Sequence, residues 1–383
     1  MRLHIQVGYL VLNQTAPAPL AAPVSWSRVP GTRPDTGPDA AGRGRGRLHV
    51  LDGLRLVAAL MVVGYHYLAF GEGWPAPVER LFPGTYSVAS YGYLGVEFFF
   101  LISGFVICMS GWGRPVKDFF VSRVARLYPA YWFAVVATSV TVAVIPGGRE
   151  HLPWNDIVTN LTMLQEPLGA DPVDAVYWTL FAELRFYLLF TVLAWWGLTY
   201  RRVLLFCCAW GAASALVTPA APGPLRLLLM PEYSWFFIAG MAFYLMYRFR
   251  PNLMLFGVVG VCYCASLAPS IDKFKGLTFL GDRPAWPVLV VLAAFFGVMA
   301  LVATGRLSGI RWRWLPVAGA LTYPLYLLHE VIGWEFFARF GARVSPGVLL
   351  TAVLLGMLVL SYLVHRLVER PLGRSLRRHL LRR

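Results

Sequence analysis

Apolar stretches of membrane length recur along most of this chain, separated by short polar, proline-bearing or glycine-bearing segments. Ten stretches read as candidate spans: about 51–70, 91–111, 127–145, 177–197, 202–218, 233–248, 253–270, 286–304, 315–338 and 346–369. The stretches at 202–218, 233–248 and 253–270 are the shortest. The pattern predicts an all-α fold, a polytopic transmembrane helical bundle. Backbone polar groups in hydrocarbon must be satisfied within their own segment, and helices do this. The composition agrees, with 58% hydrophobic residues and a mean hydropathy of +0.60. Residues 1–47 lack the pattern. They are rich in Ala, Pro, Gly and Arg, and read as a disordered cytoplasmic lead. The opening MRLHIQVGYLVL has too weak a basic region for a signal peptide. Residues 48–378 are then expected as the membrane domain and 379–383 as a basic tail.

A net charge of +15 raises the question of a polyanionic partner. Its placement answers it. With a cytoplasmic N-terminus, the inside segments hold Arg114, Lys117, Arg123 and Arg126, then Arg201 and Arg202, then Arg248 and Arg250, then Arg306, Arg311 and Arg313, then the arginines from Arg366 to Arg383. The outside segments are sparse in cations, and the loop 146–176 is acidic. This is the positive-inside pattern with an even number of spans, so both termini are expected in the cytoplasm and no nucleic-acid partner is expected. The excess of Arg over Lys fits a high-GC bacterial coding bias, hence a multi-pass protein of the bacterial inner (plasma) membrane. The five cysteines fall in predicted spans without metal-ligand spacing, and read as small packing residues.

A few ionisable residues interrupt the apolar runs. Arg55 and His66 share the first span. Eleven residues are almost three helical turns, so both lie on one face roughly 16 Å apart along the axis. Glu97 lies in YGYLGVEFFFLISGFVICMSG, Glu183 in VYWTLFAELRFYLLF, and Arg123 and Arg126 in DFFVSRVARLYPAYW. LTYPLYLLHE places Tyr323, Tyr326 and His329 three residues apart. Such groups are costly in lipid and face a polar pathway or a reaction centre. The span directions put Arg55, Arg123 and Arg126 at cytoplasmic depth. They put His66, Glu97, Glu183 and His329 at middle to outer depth.

Taken in order, these segments resemble the acyltransferase 3 family of membrane-bound acyltransferases. The Arg-x10-His pair of Arg55 and His66 matches its defining feature. GVEFFFLISGF is similar to its GVDLFFVLSGF segment, RVARLYPAYW to RxxRxxP, VYWTLFAELRFY to W-[ST]-L-x-x-E-x-x-F-Y, LTYPLYLLHE to SYPLYLxH, and VERPLGR to the closing ExP element. Glu97 stands where the family more often has Asp, and Thr322 where Ser is usual. The resemblance covers about residues 48–378. It implies transfer of an acyl group, often acetyl, from cytoplasmic acyl-CoA to a hydroxyl acceptor. Family acceptors are commonly surface polysaccharide sugars, peptidoglycan, lipid-linked sugars and, in some members, macrolides. A stand-alone member without a fused extracytoplasmic domain is expected.

Residue roles follow from chemistry. CoA is anionic, and Arg55, Arg123 and Arg126 suit its phosphates. His66 is the expected general base, taking the proton of the attacking hydroxyl. Glu183 or Glu97 would fix its tautomer, with Glu183 preferred. The oxyanion donor is left open between Tyr326, Ser103 and a backbone N–H. His66 and Glu183 are thus the expected catalytic residues. Arg55, Glu97, Ser103, Arg123, Arg126, Tyr326 and His329 are the expected substrate-binding set. No metal and no cofactor are expected beyond acyl-CoA as co-substrate. Direct transfer is preferred to a covalent intermediate, because no nucleophile elbow is present. The rival class is a proton-coupled membrane transporter, which also buries His, Glu and Arg. Against it, the chain shows no duplicated halves.

Overall fold

The structure, a computed structural model, describes residues 48–145, 149–217, 223–281 and 283–382; the expected disordered lead lies outside these. Among the described residues there is no β-strand. The main helices are α1 (His49–Tyr65), α2 (Gly95–Gly111), α3 (Val116–Val144), α4 (Trp178–Trp196), α5 (Tyr200–Leu216) and α6 (Ser234–Phe249). They continue as α7 (Leu253–Gly276), α8 (Trp286–Ala303), α9 (Leu315–Leu328), α10 (Glu330–Phe340), α11 (Pro346–Val364) and α12 (Arg370–Arg382).

Each expected span falls on a helix. Eight helical stretches are long and apolar enough to span a bilayer, and the bent pair α9–α10 makes up to nine. The remaining expected span, 202–218, is α5, with 17 residues. At 1.5 Å per residue it measures about 26 Å, at the lower limit of length for a span. Residues 379–382 form the last turn of α12.

The bundle's outside is apolar, as lipid requires. Val136, Val140 and Val144 form an exposed stripe on α3, and Leu355 and Val359 are exposed on α11. Inside, α2 crosses α6 closely. A Cβ added at Gly104 would stand 2.2 Å from the Phe237 carbonyl oxygen, and one at Gly240 would stand 2.2 Å from that of Leu101. Only glycine admits this backbone contact, a small-residue packing common between membrane helices. Phe186 and Phe237 stack beside it, with ring centroids 4.3 Å apart. The helix α1 lies between α2 and α9.

Two irregularities position the chemistry. The helix α1 ends in a π-helical turn, His66–Phe70, closed by a bond from the Gly71 N–H to the His66 carbonyl. Gly71 is left-handed, with φ 62°, which stops the helix. The second irregularity is the 63° bend between α9 and α10, at His329. Pro324 weakens the ladder one turn earlier by removing an N–H. The π turn packs on this bend. Tyr67 donates its hydroxyl proton to the His329 carbonyl at 2.6 Å, and the Trp334 indole donates to the His66 carbonyl at 3.1 Å.

Candidate active site

The arginines predicted for the donor side converge. One cavity is lined by Arg55 of α1, Ser103 of α2, Arg123 and Arg126 of α3, Glu183 and Tyr187 of α4, and Tyr323 of α9. Regular helices bring them together. Arg123 and Arg126 are three apart and share a face of α3. Among the described residues, no carboxylate is within ion-pair distance of these three guanidiniums. Glu183 is the acid of the cavity. Its Oε1 accepts from the Ser103 hydroxyl at 3.1 Å and from Tyr187, one turn along α4. Three cations against one carboxylate leave a cationic cavity, suited to an anion.

A second cavity shares Arg55, Ser103, Glu183 and Tyr323 with the first. It extends past Phe99, Phe100 and Thr322 to Thr179 and Tyr326. The Thr179 and Tyr326 hydroxyls are hydrogen bonded at 2.8 Å. The Tyr326 ring stands 5.8 Å from the His329 ring, centroid to centroid. His66 and Glu97 line neither cavity.

His66 and His329 face each other, with His66 Nδ1 and His329 Nε2 3.0 Å apart. His329 is fully buried. Its Nδ1 lies 2.8 Å from the Tyr326 carbonyl and 3.2 Å from that of Leu325. Carbonyls only accept, so neutral His329 carries its hydrogen on Nδ1 and offers a lone pair at Nε2. That lone pair must accept from His66 Nδ1–H. The basic lone pair of neutral His66 is then on Nε2, by assignment from the network. The carboxylate nearest to it is Glu330, with Oε1 3.5 Å from Nε2.

Glu330 is itself held in place. It exchanges caps with Asp174 across two helix starts. Glu330 Oε2 accepts from the Val176 N–H at 3.0 Å, and Asp174 Oδ2 accepts from the Val331 N–H at 3.2 Å. Asp174 Oδ1 shares the Val176 N–H at 3.1 Å. Both acids are buried. Each satisfies N–H groups that a helix start leaves unpaired.

The structure therefore unites Arg55, Ser103, Arg123, Arg126 and Glu183, and separately unites His66, His329 and Tyr326. It does not give His66 the expected carboxylate. Glu183 is engaged by Ser103 and Tyr187, and Glu330 takes the place beside the imidazole. Glu97 is engaged elsewhere too. Its Oε1 is 2.8 Å from Lys273 Nζ, and this ammonium sits 5.2, 5.3 and 5.5 Å from the Tyr93, Trp178 and Tyr233 ring centroids. A carboxylate with 1% exposure needs such a partner. Glu330, Asp174, Thr179 and Tyr187 were not singled out from the sequence. Two had a local signal: Glu330 follows His329 in LLHE, and Tyr187 lies four residues after Glu183.

The comparisons with known proteins agree with this architecture. The acyltransferase 3 family, described as an acyltransferase domain, matches residues 48–366. The chain is 28% identical to the acyltransferase MdmB of Streptomyces mycarofaciens, over 87% of this chain and 93% of that protein. It is 28% identical to the exopolysaccharide production protein ExoZ of Rhizobium meliloti, over 74% of this chain and 90% of that protein. A shorter match, also 28% identical, covers 24% of this chain and 13% of the peptidoglycan O-acetyltransferase OatA of Listeria monocytogenes. No solved structure matches the chain. The carrier alternative is not favoured by these matches. With a multi-pass helical bundle and a family match over most of its length, the chain belongs to the acyltransferase 3 family, and the protein is a membrane acyltransferase.

Proposed function

We propose that the protein moves an acyl group, acetyl in the simplest case, from cytoplasmic acyl-CoA to a hydroxyl of a carbohydrate or glycosylated acceptor. The observation that carries this reading is the linear order of polar groups through the bundle. Arg123 and Arg126 come first, then Arg55 and Glu183, then Thr179 and Tyr326, then His329 and His66. The cationic end would hold the phosphates of CoA, and the thioester arm would reach along the second cavity. The charge asymmetry of the loops supports a cytoplasmic arginine end. The names of the exopolysaccharide and peptidoglycan relatives support a sugar hydroxyl as acceptor.

In this mechanism the acceptor oxygen attacks the thioester carbonyl while His66 Nε2 takes its proton. The new C–O bond forms and the C–S bond breaks. The imidazolium then returns the proton to the departing CoA thiolate, so no net proton is consumed. A positioned base of this kind contributes about 10² to 10⁴-fold. His329 holds Nδ1–H of His66 and so keeps Nε2 free for the hydroxyl. Glu330 stands where it opposes the positive charge of the imidazolium. The oxyanion donor would be Tyr326, whose hydroxyl would turn from Thr179, or Ser103 or a backbone N–H.

The test uses the full-length protein in lipid nanodiscs with radiolabelled acetyl-CoA and a panel of acceptors: polysaccharide, peptidoglycan fragments and macrolide glycosides. The expected result is CoA release that depends on acceptor, with label in an ester. Absence of CoA release with every acceptor, from protein that binds acetyl-CoA, would sink the reading.

A further inference from the structure

The last helix carries arginines to which the proposed transfer assigns no role. From Pro346 to Arg382 the chain forms one helical stretch of 37 residues. At 1.5 Å per residue it is about 55 Å long, against a hydrocarbon core of about 30 Å. The apolar part, α11, has 19 residues, about 28 Å. Placed across the core, it would leave the chain from His365 onward to the headgroup layer and beyond.

Arg366, Arg370, Arg374, Arg378 and Arg382 follow one another at four-residue spacing. Side chains so spaced form a stripe along one side of a helix. All five are exposed. Among the described residues, none has a carboxylate within ion-pair distance. The one acid of this segment, Glu369, lies 2.8 Å from His365. Away from the stripe, Leu376 and Leu380 are half-buried. Gly373 lies against α3, where an added Cβ would be 2.7 Å from the Ala125 carbonyl oxygen. Ala125 sits between Arg123 and Arg126 of the cationic cavity.

We propose that this arginine stripe binds the phosphates of anionic lipids in the adjacent leaflet. Three arguments favour lipid as the occupant. The stripe is continuous with a spanning helix, so Arg366, Arg370 and Arg374 fall within about 15 Å of the hydrocarbon boundary. Guanidinium forks match phosphate oxygens. Neither cavity of the active site is lined by any α12 residue. Because Gly373 seats α12 on Ala125, bound lipid would also hold the segment of α3 that presents Arg123 and Arg126.

The experiment uses the full-length protein in detergent micelles containing equal amounts of phosphatidylglycerol and phosphatidylcholine. Bound lipid is counted by native mass spectrometry at low and high salt. The wild type should retain phosphatidylglycerol in preference, and lose the preference at high salt. Near an anionic surface each arginine contributes about fivefold, so Arg370→Gln with Arg374→Gln should lower retention roughly 25-fold. Arg370→Lys with Arg374→Lys keeps the charge and should retain most of it. No preference in the wild type would overturn the proposal, and that result needs no variant. So would undiminished retention by the Gln pair. A Gln pair that keeps its lipid but raises the KM for acetyl-CoA would reassign the stripe to the donor's phosphates.

Discussion

The two ends of α1 solve opposite problems. At Arg55 the helix is regular, and its guanidinium shares a cavity with two more; among the described residues no carboxylate is within ion-pair distance of the three. At His66 the helix widens into a π turn, and the imidazole is held on several sides. His329 takes Nδ1, Glu330 stands near Nε2, and the backbone carbonyl accepts from Trp334. The first end is under-partnered and therefore able to take an anion. The second is closely partnered and therefore able to keep one tautomer. Cations left unpaired inside a bundle are expensive, as is a helix irregularity, and both cluster where a ligand or a reaction uses them.

The sharpest way to break the comparison is at His66. His66→Ala should lower kcat by about 10² to 10⁴-fold and leave acetyl-CoA binding intact, since the base is separate from the cationic cavity. Calorimetric binding of acetyl-CoA alongside turnover would show both. Equal damage to binding and turnover would mean that the two ends are one site.

His329→Gln should come next. Removing the group that fixes His66 lets the imidazole turn and populate the unproductive tautomer, with an expected loss of about 10 to 10²-fold in kcat and little change in either KM. Full activity in that variant would show that the pairing with His329 only packs the bend.

The arginine end should respond in KM. Arg126→Gln or Arg55→Gln removes a charge-assisted bond to phosphate, about 1.5 to 3 kcal/mol, so KM for acetyl-CoA should rise about 10 to 10²-fold with kcat nearly kept. A change confined to acceptor KM would move these arginines to the other substrate.

Ser103→Ala gives the smallest expected effect. It removes one neutral donor to Glu183, about 1 kcal/mol, and Tyr187 still holds that carboxylate. A loss in rate of roughly fivefold would sharpen the contrast. A loss as large as that of His66→Ala would give Ser103 a place at the reacting atoms.

Much of this was legible in the chain itself. The apolar runs located the membrane-length helices among the described residues, because hydrocarbon imposes a minimum length and forbids unpaired backbone. The register of Arg55 with His66, and of Arg123 with Arg126, follows from helical geometry alone. The intramembrane positions of Glu97, Glu183 and His329 marked them as partnered or functional, because a lone ionisable group in lipid is unstable. What the chain could not state is which partner each one takes. Glu183 bonds Ser103 and Tyr187, Glu97 pairs with Lys273, and Glu330 and Asp174 meet beside His66 although they are 156 residues apart in sequence. Helix packing decided these pairings. So did the crossing at Gly104 and Gly240, and the bend at His329 that turns Glu330 toward the π turn. Hydropathy and helical period are properties of neighbours in the chain. A hydrogen bond between distant residues depends on crossing angles and helix breaks, and these exist only once the bundle has formed.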